Sequence, residues 1–279
     1  MNPADFETFS RTVRERSGLV LTPDKAYLIE SRLAPVARRL GMTSLEEIAS
    51  AIRLRSDAKV IAEVVDAMTT NETFFFRDKT PFETLEKHVL PTLVAKRPGK
   101  PLRIWCAAAS TGQEPYSIAM LVDSMAGRLN GASVEIVATD ISDRCLEKAR
   151  AGVYTQFEVQ RGLPVQMLLK HFEKQGDLWK VKDNIRAMVR WRTANLLENL
   201  AGLGRFDVVF CRNVLIYFDP LTKKQILERA ARQLEDPGYL FLGAAETVLG
   251  VTDAFKPSSD HRGLYVKGLP SVTAARAVA

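Results

Sequence analysis

The sequence predicts an α/β protein. A largely parallel sheet is expected over residues 99–268, behind an all-helical unit over residues 1–75 and a linker over 76–98. Three observations carry this. Residues 1–68 place apolar side chains at helical spacing and contain no strand pattern. From about residue 100, short apolar runs alternate with helical stretches, as in a parallel sheet covered on both faces. The stretch 171–193 breaks that alternation and reads as a small antiparallel insertion, bounded at about 171–190.

The helical unit opens at Pro3-Ala4-Asp5-Phe6, with Phe6, Phe9 and Val13 on one face before Ser17-Gly18. Thr22-Pro23-Asp24 reads as an N-cap with proline at the first helical position. That helix runs to Leu40-Gly41, and Pro35 is expected to kink it. Thr43-Ser44-Leu45-Glu46-Glu47 resembles a capping box. Ile61, Val64, Val65 and Met68 give the period of a last helix.

Strands are expected at 102–107, 134–140, 206–211 and 238–243, and helices at 114–127, 142–150 and 221–235. In the insertion, Gln175-Gly176-Asp177 is a turn signal between two short runs. The second run is read as continuing through Ile185 to Trp191, where apolar and basic residues roughly alternate, as in a half-exposed strand. The tail, 269–279, is small and polar and is expected to be disordered.

Composition narrows the class. With 279 residues, 46% hydrophobic and 26% charged, the chain can bury a core without a disulfide or metal staple. Cys106, Cys145 and Cys211 are far apart and odd in number, so buried reduced thiols are expected. His88, His171 and His261 form no ligand motif, and no metal is expected. The N-terminus lacks an apolar signal core, and no apolar run approaches the ~18 residues of a membrane span. A cytoplasmic protein is expected. The net charge of +6 favours an anionic partner. Residues 1–75 hold 10 Lys and Arg against 11 Asp and Glu, so the excess lies in the remainder.

Open parallel sheets bind ligands beyond the carboxyl ends of their strands. The first strand ends in Ala107-Ala108-Ala109-Ser110-Thr111-Gly112-Gln113-Glu114, small residues that let backbone approach a ligand. It carries no G-x-G-x-x-G and no Walker lysine, so neither a dinucleotide nor a triphosphate cradle fits. A tight turn capped by Glu114 is the competing explanation. The second strand ends in Thr139-Asp140-Ile141-Ser142, and Asp140 can accept both ribose hydroxyls of a nucleoside cofactor. It can equally cap helix 142–150, a task within reach of Ser142. Asn195 in Thr193-Ala194-Asn195-Leu196-Leu197 offers the donor and acceptor that an adenine edge requires, or serves only a turn. In Cys211-Arg212-Asn213-Val214-Leu215-Ile216-Tyr217-Phe218, Asn213 and Tyr217 can face a cofactor and its substrate, while Leu215 and Phe218 read as core.

One more segment, TTNETFFFRD at 69–78, joins the two units. The ordered set of helical unit, TTNETFFFRD, ASTGQEPYSIAM, VATDIS, ANLLE and CRNVLIYF closely resembles the chemotaxis receptor glutamate methyltransferases, the CheR family, over roughly residues 5–267. The resemblance implies a class I S-adenosylmethionine-dependent methyltransferase domain, Rossmann-like, with a β-subdomain. It implies S-adenosylmethionine as cofactor, S-adenosylhomocysteine as product, and glutamate side chains of chemoreceptors as substrate. Asn71, Thr73 and Arg77 would contact the cofactor or border its methyl end. Glu114 and Asp140 would hold its amino-acid and ribose portions. Asn195 with Leu196, and Asn213 with Val214, would line the adenine and methionine regions. TTNETFFFRD would fold over the cofactor as a hinge, one phenylalanine packing in the domain junction and another shielding the sulfonium.

A glutamate nucleophile, with a reference pKa near ~4.3, is ionised at neutral pH and needs no general base. Arg77 would guide the carboxylate and Tyr217 would orient the substrate. The cytoplasmic helical domain of the receptor would dock through Arg32, Arg38, Arg39, Arg53 and Arg55, and the short turn at 175–177 implies weak or absent tethering to a receptor tail peptide. A nucleic-acid methyltransferase would suit the basic charge, but Arg212-Asn213-Val214-Leu215 replaces the [DN]PP[YF] of amino-methylating enzymes. No nucleic-acid partner and no membrane insertion are expected. A non-catalytic cofactor sensor is the other rival, and it has no need of a substrate-facing Arg77.

Overall fold

The computed structural model describes residues 1–54 and 57–268. Arg55 and the tail from 269 lie outside the described residues. The N-terminal unit comprises α1 (Pro3–Ser17), α2 (Ala26–Arg39), α3 (Leu45–Arg53) and α4 (Ala58–Met68). Helix α1 stops at Gly18, whose φ of 77° lets its N–H reach Arg14 O at 2.8 Å. A side chain there would also press on the Phe218 ring, 3.1 Å away. A single 3₁₀ turn, Pro23–Lys25, leads into α2, which runs on through Pro35 to Arg39. Ser44 caps α3, and the Glu47 carboxylate accepts from the Thr43 N–H at 2.9 Å.

A hinge follows α4 and leads to α5 (Thr80–Thr84) and α6 (Leu90–Lys96), joined by a π-type turn. Then come β1 (Leu102–Cys106), α7 (Gln113–Ser124), β2 (Val134–Asp140), α8 (Asp143–Ala151), β3 (Val153–Thr155), α9 (Gln156–Gln160) and α10 (Val165–His171). The chain continues through β4 (Phe172–Gln175), β5 (Leu178–Val181), α11 (Asp183–Arg186), β6 (Val189–Thr193), β7 (Phe206–Cys211) and α12 (Pro220–Arg232). It closes with β8 (Leu234–Leu242), β9 (Phe255–Pro257) and β10 (Leu264–Lys267).

The main sheet has the order β6-β2-β1-β7-β8-β10-β9, parallel from β6 to β8 with β10 and β9 added antiparallel at one edge. Successive strand residues feed opposite cores. Trp105 and Val209 join α1–α4 and α12 on one face, while Ile104, Cys106 and Phe210 join α5–α7 on the other. The helical unit therefore shares a core with one face of the sheet. Register aligns Cys106 with Ala138 and Phe210, and Asp140 with Thr193, so the carboxyl ends of β1, β2, β6 and β7 finish at one edge.

The insertion differs from expectation. The hairpin is present, with β4 and β5 joined across Gly176-Asp177. Its third strand is β3, from before the insertion. The run 185–191 does not extend the hairpin. Ile185 lies in α11, and Val189–Thr193 is the edge strand of the main sheet, parallel to β2. Apolar–basic alternation marks a half-exposed edge in either sheet, and pairing with β2 decides between them.

All three cysteines are buried and free, and burial raises each thiol, Cys145 to about 11. Among the described residues no helix is long and apolar enough to cross a membrane, and no cluster of His, Cys, Asp and Glu could hold a metal ion.

Candidate functional site

The aligned strand ends form the floor of an open cleft. Its walls come from the β1 loop (Ala107, Ala108, Ser110), the β2 end (Asp140, Ile141), the β6 loop (Ala194–Leu196) and the β7 loop (Arg212–Val214, Tyr217, Phe218). The helical unit supplies Ser17 and Leu19, and the hinge supplies Thr69–Thr73 and Arg77. The structure thus brings together Asn71, Thr73, Arg77, Glu114, Asp140, Asn195, Leu196, Asn213, Val214 and Tyr217 around one space.

Asp140 is buried at its strand end. Its carboxylate accepts from Ser110 N–H at 2.7 Å and Ser142 N–H at 2.9 Å. The helix cap is Ser142, which accepts from Cys145 N–H. Asp140 is therefore free of that duty. Burial raises its pKa despite the backbone donors, because desolvation disfavours the charge.

Glu114 stands in the first turn of α7 and pairs with Arg212 at 2.8 Å, both side chains buried. Burial raises the Glu114 pKa, and the guanidinium opposes that shift. Arg212 carried no expected role, yet it ties three segments. Besides Glu114, it donates to Arg77 O at 2.9 Å and to the Asp78 carboxylate at 2.7 Å. The hinge needs such support. Phe76, Asp78 and Lys79 all have left-handed φ, of 50°, 67° and 46°. Each such residue costs on the order of 1–3 kcal/mol of backbone strain.

The hinge is held elsewhere as well. Ser110 Oγ donates to Asn71 O at 2.8 Å, and Phe76 N–H donates to Ser117 Oγ at 2.9 Å. The three phenylalanine rings do not line the cleft. Phe75 is fully buried against Tyr154 and Phe172, in the core under the small sheet rather than between the two units. Phe76 packs on Phe82, and Phe74 stands beside Arg77 and Arg161. Shielding of a bound sulfonium by these rings is therefore not met. The consecutive residues Thr69–Thr73 and Arg77 line the cleft, and the turn at 75–78, with Phe76 at a positive φ, carries the chain away from it.

Asn195 lines the cleft, but its carboxamide is engaged with backbone. It donates to Arg16 O at 2.7 Å and accepts from Leu197 N–H at 3.0 Å. Its polar edge fastens α1 to the β6 loop, leaving one N–H and one lone pair over. Tyr217 joins the same fastening, its carbonyl accepting from Val20 N–H at 3.2 Å.

The arginines expected on a docking face are mostly engaged internally. Arg32 donates to Met68 O, Thr69 O and Thr70 Oγ1, capping α4 and fixing the start of the hinge. Arg39 pairs with Glu63 and Arg53 with Asp5. Arg38 is exposed.

Two signals were missed. Arg212 looks like any basic residue after a strand. Glu246, beyond β8, accepts from the N–H groups of Asn213, Val214, Leu215 and Gly243 at 2.7–2.9 Å. A lone glutamate after Gly-Ala-Ala carries no sequence mark of that task.

The donor set suits S-adenosylmethionine. The cleft pairs apolar walls (Ile141, Leu196, Val214, Phe218) with a buried carboxylate at the second strand end.

Comparisons with known proteins agree. The profile described as "CheR methyltransferase, all-alpha domain" matches residues 4–69, and "CheR methyltransferase, SAM binding domain" matches residues 71–264. A chemotaxis protein methyltransferase of Vibrio anguillarum is 42% identical, over 94% of this chain and 96% of its own. Chemotaxis protein methyltransferase 1 of Pseudomonas aeruginosa is 45% identical, over 91% and 93%. Chemotaxis protein methyltransferase Cher2 of Pseudomonas putida is 44% identical, over 90% and 93%. With both units matched in order and a cleft for the cofactor between them, the chain belongs to the CheR family of S-adenosylmethionine-dependent methyltransferases.

Proposed function

We propose that the protein methylates glutamate side-chain carboxylates on the cytoplasmic helical domain of chemoreceptors, forming methyl esters in chemosensory adaptation. One observation carries this reading: the cleft contains a cation for an incoming carboxylate and no free base. Among the described residues no histidine, lysine or cysteine lines it. Of its carboxylates, Glu114 is committed to Arg212 and Asp140 to backbone donors. Glu72 pairs with Arg161, which holds its pKa below the usual range and makes it a poor base. A site of this kind fits a nucleophile that arrives ionised. Names of the relatives, all chemotaxis protein methyltransferases, support the same substrate class.

When bound, S-adenosylmethionine supplies an electrophilic methyl group. Asp140 would accept the ribose hydroxyls through lone pairs left by Ser110 and Ser142. Glu114 would take the ammonium of the methionine portion, its charge maintained by Arg212. Leu196 and Asn195 would flank adenine, while Asn71, Thr73, Asn213 and Val214 would border the methionine and methyl end. Arg77 would steer the substrate carboxylate by a charge-assisted hydrogen bond. It must leave one carboxylate oxygen free, because two bonds to a cation would quench the nucleophile. Tyr217 would orient the substrate. Closure of the hinge side would exclude water from a well-hydrated carboxylate, and alignment supplies the rest.

The test is incubation with methyl-labelled S-adenosylmethionine and receptor-rich membranes, followed by alkali. Label on a receptor-sized band that leaves as methanol supports a carboxyl ester. Alkali-stable label would place the methyl group on nitrogen or carbon and end this reading.

A further inference from the structure

We propose that Arg161 is a positioning residue for this reaction. By occupying the Glu72 carboxylate, it keeps Arg77 available to the substrate; this rests on the role given to Arg77 above. Arg161 Nη2 bonds Glu72 Oε1 at 2.5 Å. Arg77 Nη1 donates to the backbone carbonyl of the same Glu72 at 2.8 Å. Both guanidiniums stand against one ring. The Phe74 centroid is 4.4 Å from Arg161 Cζ and 5.5 Å from Arg77 Cζ. Two cations beside one ring would repel each other, and the Glu72 carboxylate, which attracts both, offsets this.

The clasp is built into the backbone. Gly162 has φ +85°, and a Cβ there would lie 2.1 Å from Phe75 O and 3.1 Å from the Phe74 ring. Only glycine lets the 161–162 segment lie directly on the hinge, so the reach of Arg161 to Glu72 is fixed by main-chain contact. An arginine suits the position because its planar group can stack on the ring and bond the carboxylate together, which an ammonium cannot do.

The consequence concerns competition. With Arg161 in place, Arg77 is held by a neutral carbonyl, a weak partner that an incoming carboxylate can displace. Without Arg161, the freed Glu72 carboxylate lies beside Arg77 and can take its guanidinium. A substrate carboxylate would then compete with an internal ion pair.

The experiment compares Arg161→Ala, Arg161→Met and the double variant Arg161→Ala/Glu72→Gln. Receptor methylation, S-adenosylhomocysteine binding and the Arg77 Nε–Hε NMR resonance are measured for each. The single variants should lower kcat/KM for receptor by about 10-fold. Cofactor affinity should hold within about twofold, and the Arg77 resonance should move. Glu72→Gln should restore turnover in the double variant, since a neutral amide no longer captures Arg77. Normal turnover in the single variants, or a loss that Glu72→Gln does not rescue, overturns the proposal. So does an Arg77 resonance unchanged in Arg161→Met, which keeps the apolar stem for folding. The resonance reads Arg77 without methyl transfer. Failure of the wild-type protein to label receptors would therefore overturn the proposed function while the resonance still tests Arg161.

Discussion

Glu246 Oε2 accepts from the backbone N–H of Asn213 at 2.8 Å, and Asn213 sits there at a left-handed φ of 57°. Asparagine tolerates that conformation better than most residues, but it does not choose it unaided. The carboxylate also takes Val214 and Leu215, so the β8 loop holds the β7 loop by three backbone donors, while Gly243 N–H fastens the carboxylate within its own loop. Of the β7-loop residues that line the cleft, Asn213 and Val214 are held directly by this clamp, Arg212 precedes it, and Tyr217 and Phe218 follow it closely.

Replacing Glu246 by alanine should therefore act in two ways. Stability should fall by about 3 kcal/mol, because donors bonded to a buried charge lose their acceptor. S-adenosylhomocysteine affinity should fall with it, since Asn213 and Val214 lose their fixed place. Glu246→Gln keeps one acceptor oxygen and should fall between alanine and wild type. Urea unfolding and titration calorimetry measure the two effects. Unchanged affinity in both variants would remove Glu246 from the organisation of the site.

Cofactor affinity should also depend on acid. In the role proposed above, Asp140 would serve ribose as an ionised acceptor, and burial raises its pKa above the ordinary 3.8. As pH falls through that raised value, Asp140 gains a proton and loses acceptor capacity, so affinity drops. The drop should begin above the range of a solvent-exposed aspartate. Asp140→Asn should bind more weakly, by about 10-fold or more, and lose most of this pH dependence. An asparagine variant with the wild-type profile would assign the titration to another group.

Arg77→Ala should lose most turnover, about 100-fold in kcat/KM for receptor, while the fold survives. The side chain is partly exposed and donates to a carbonyl of its own hinge, so little stability rests on it. Circular dichroism and labelled methyl transfer separate the two. Near-normal turnover would remove Arg77 from the mechanism.

How much of this was legible follows from range. Strand ends are local, so Asp140 and Asn213 could be read from the residues around them, and the short loops that follow put them at one edge. Helix ends with local caps were equally clear, as at Ser44 and Glu47. The rest depended on partners far away in sequence. Arg53 finds Asp5, 48 residues back, and Arg212 finds Glu114, 98 residues back, so neither could be told from a solvated cation. The run 185–191 has the pattern of an edge strand, and periodicity does not name the sheet. The short strands β3, β9 and β10 have three or four residues each, too few to establish a period.

The small sheet gives the last prediction. Its order β3-β5-β4 leaves β4 on an edge, where a receptor tail peptide could add as a further strand. That edge is poor. It is four residues long, Phe172–Gln175, with Glu173, Lys174 and Gln175 exposed. Charged side chains on a short edge oppose strand addition. The connecting loop is only Gly176-Asp177, with Gly176 at φ 59°, and it offers no pocket wall for a peptide side chain. Main-chain bonds over so few residues barely exceed the cost of ordering a free peptide. Calorimetric titration with receptor tail peptides should detect no binding in the micromolar range. A micromolar Kd that disappears when Lys174 is changed to proline, which removes a main-chain donor from the edge, would reverse this and make the hairpin a tethering site.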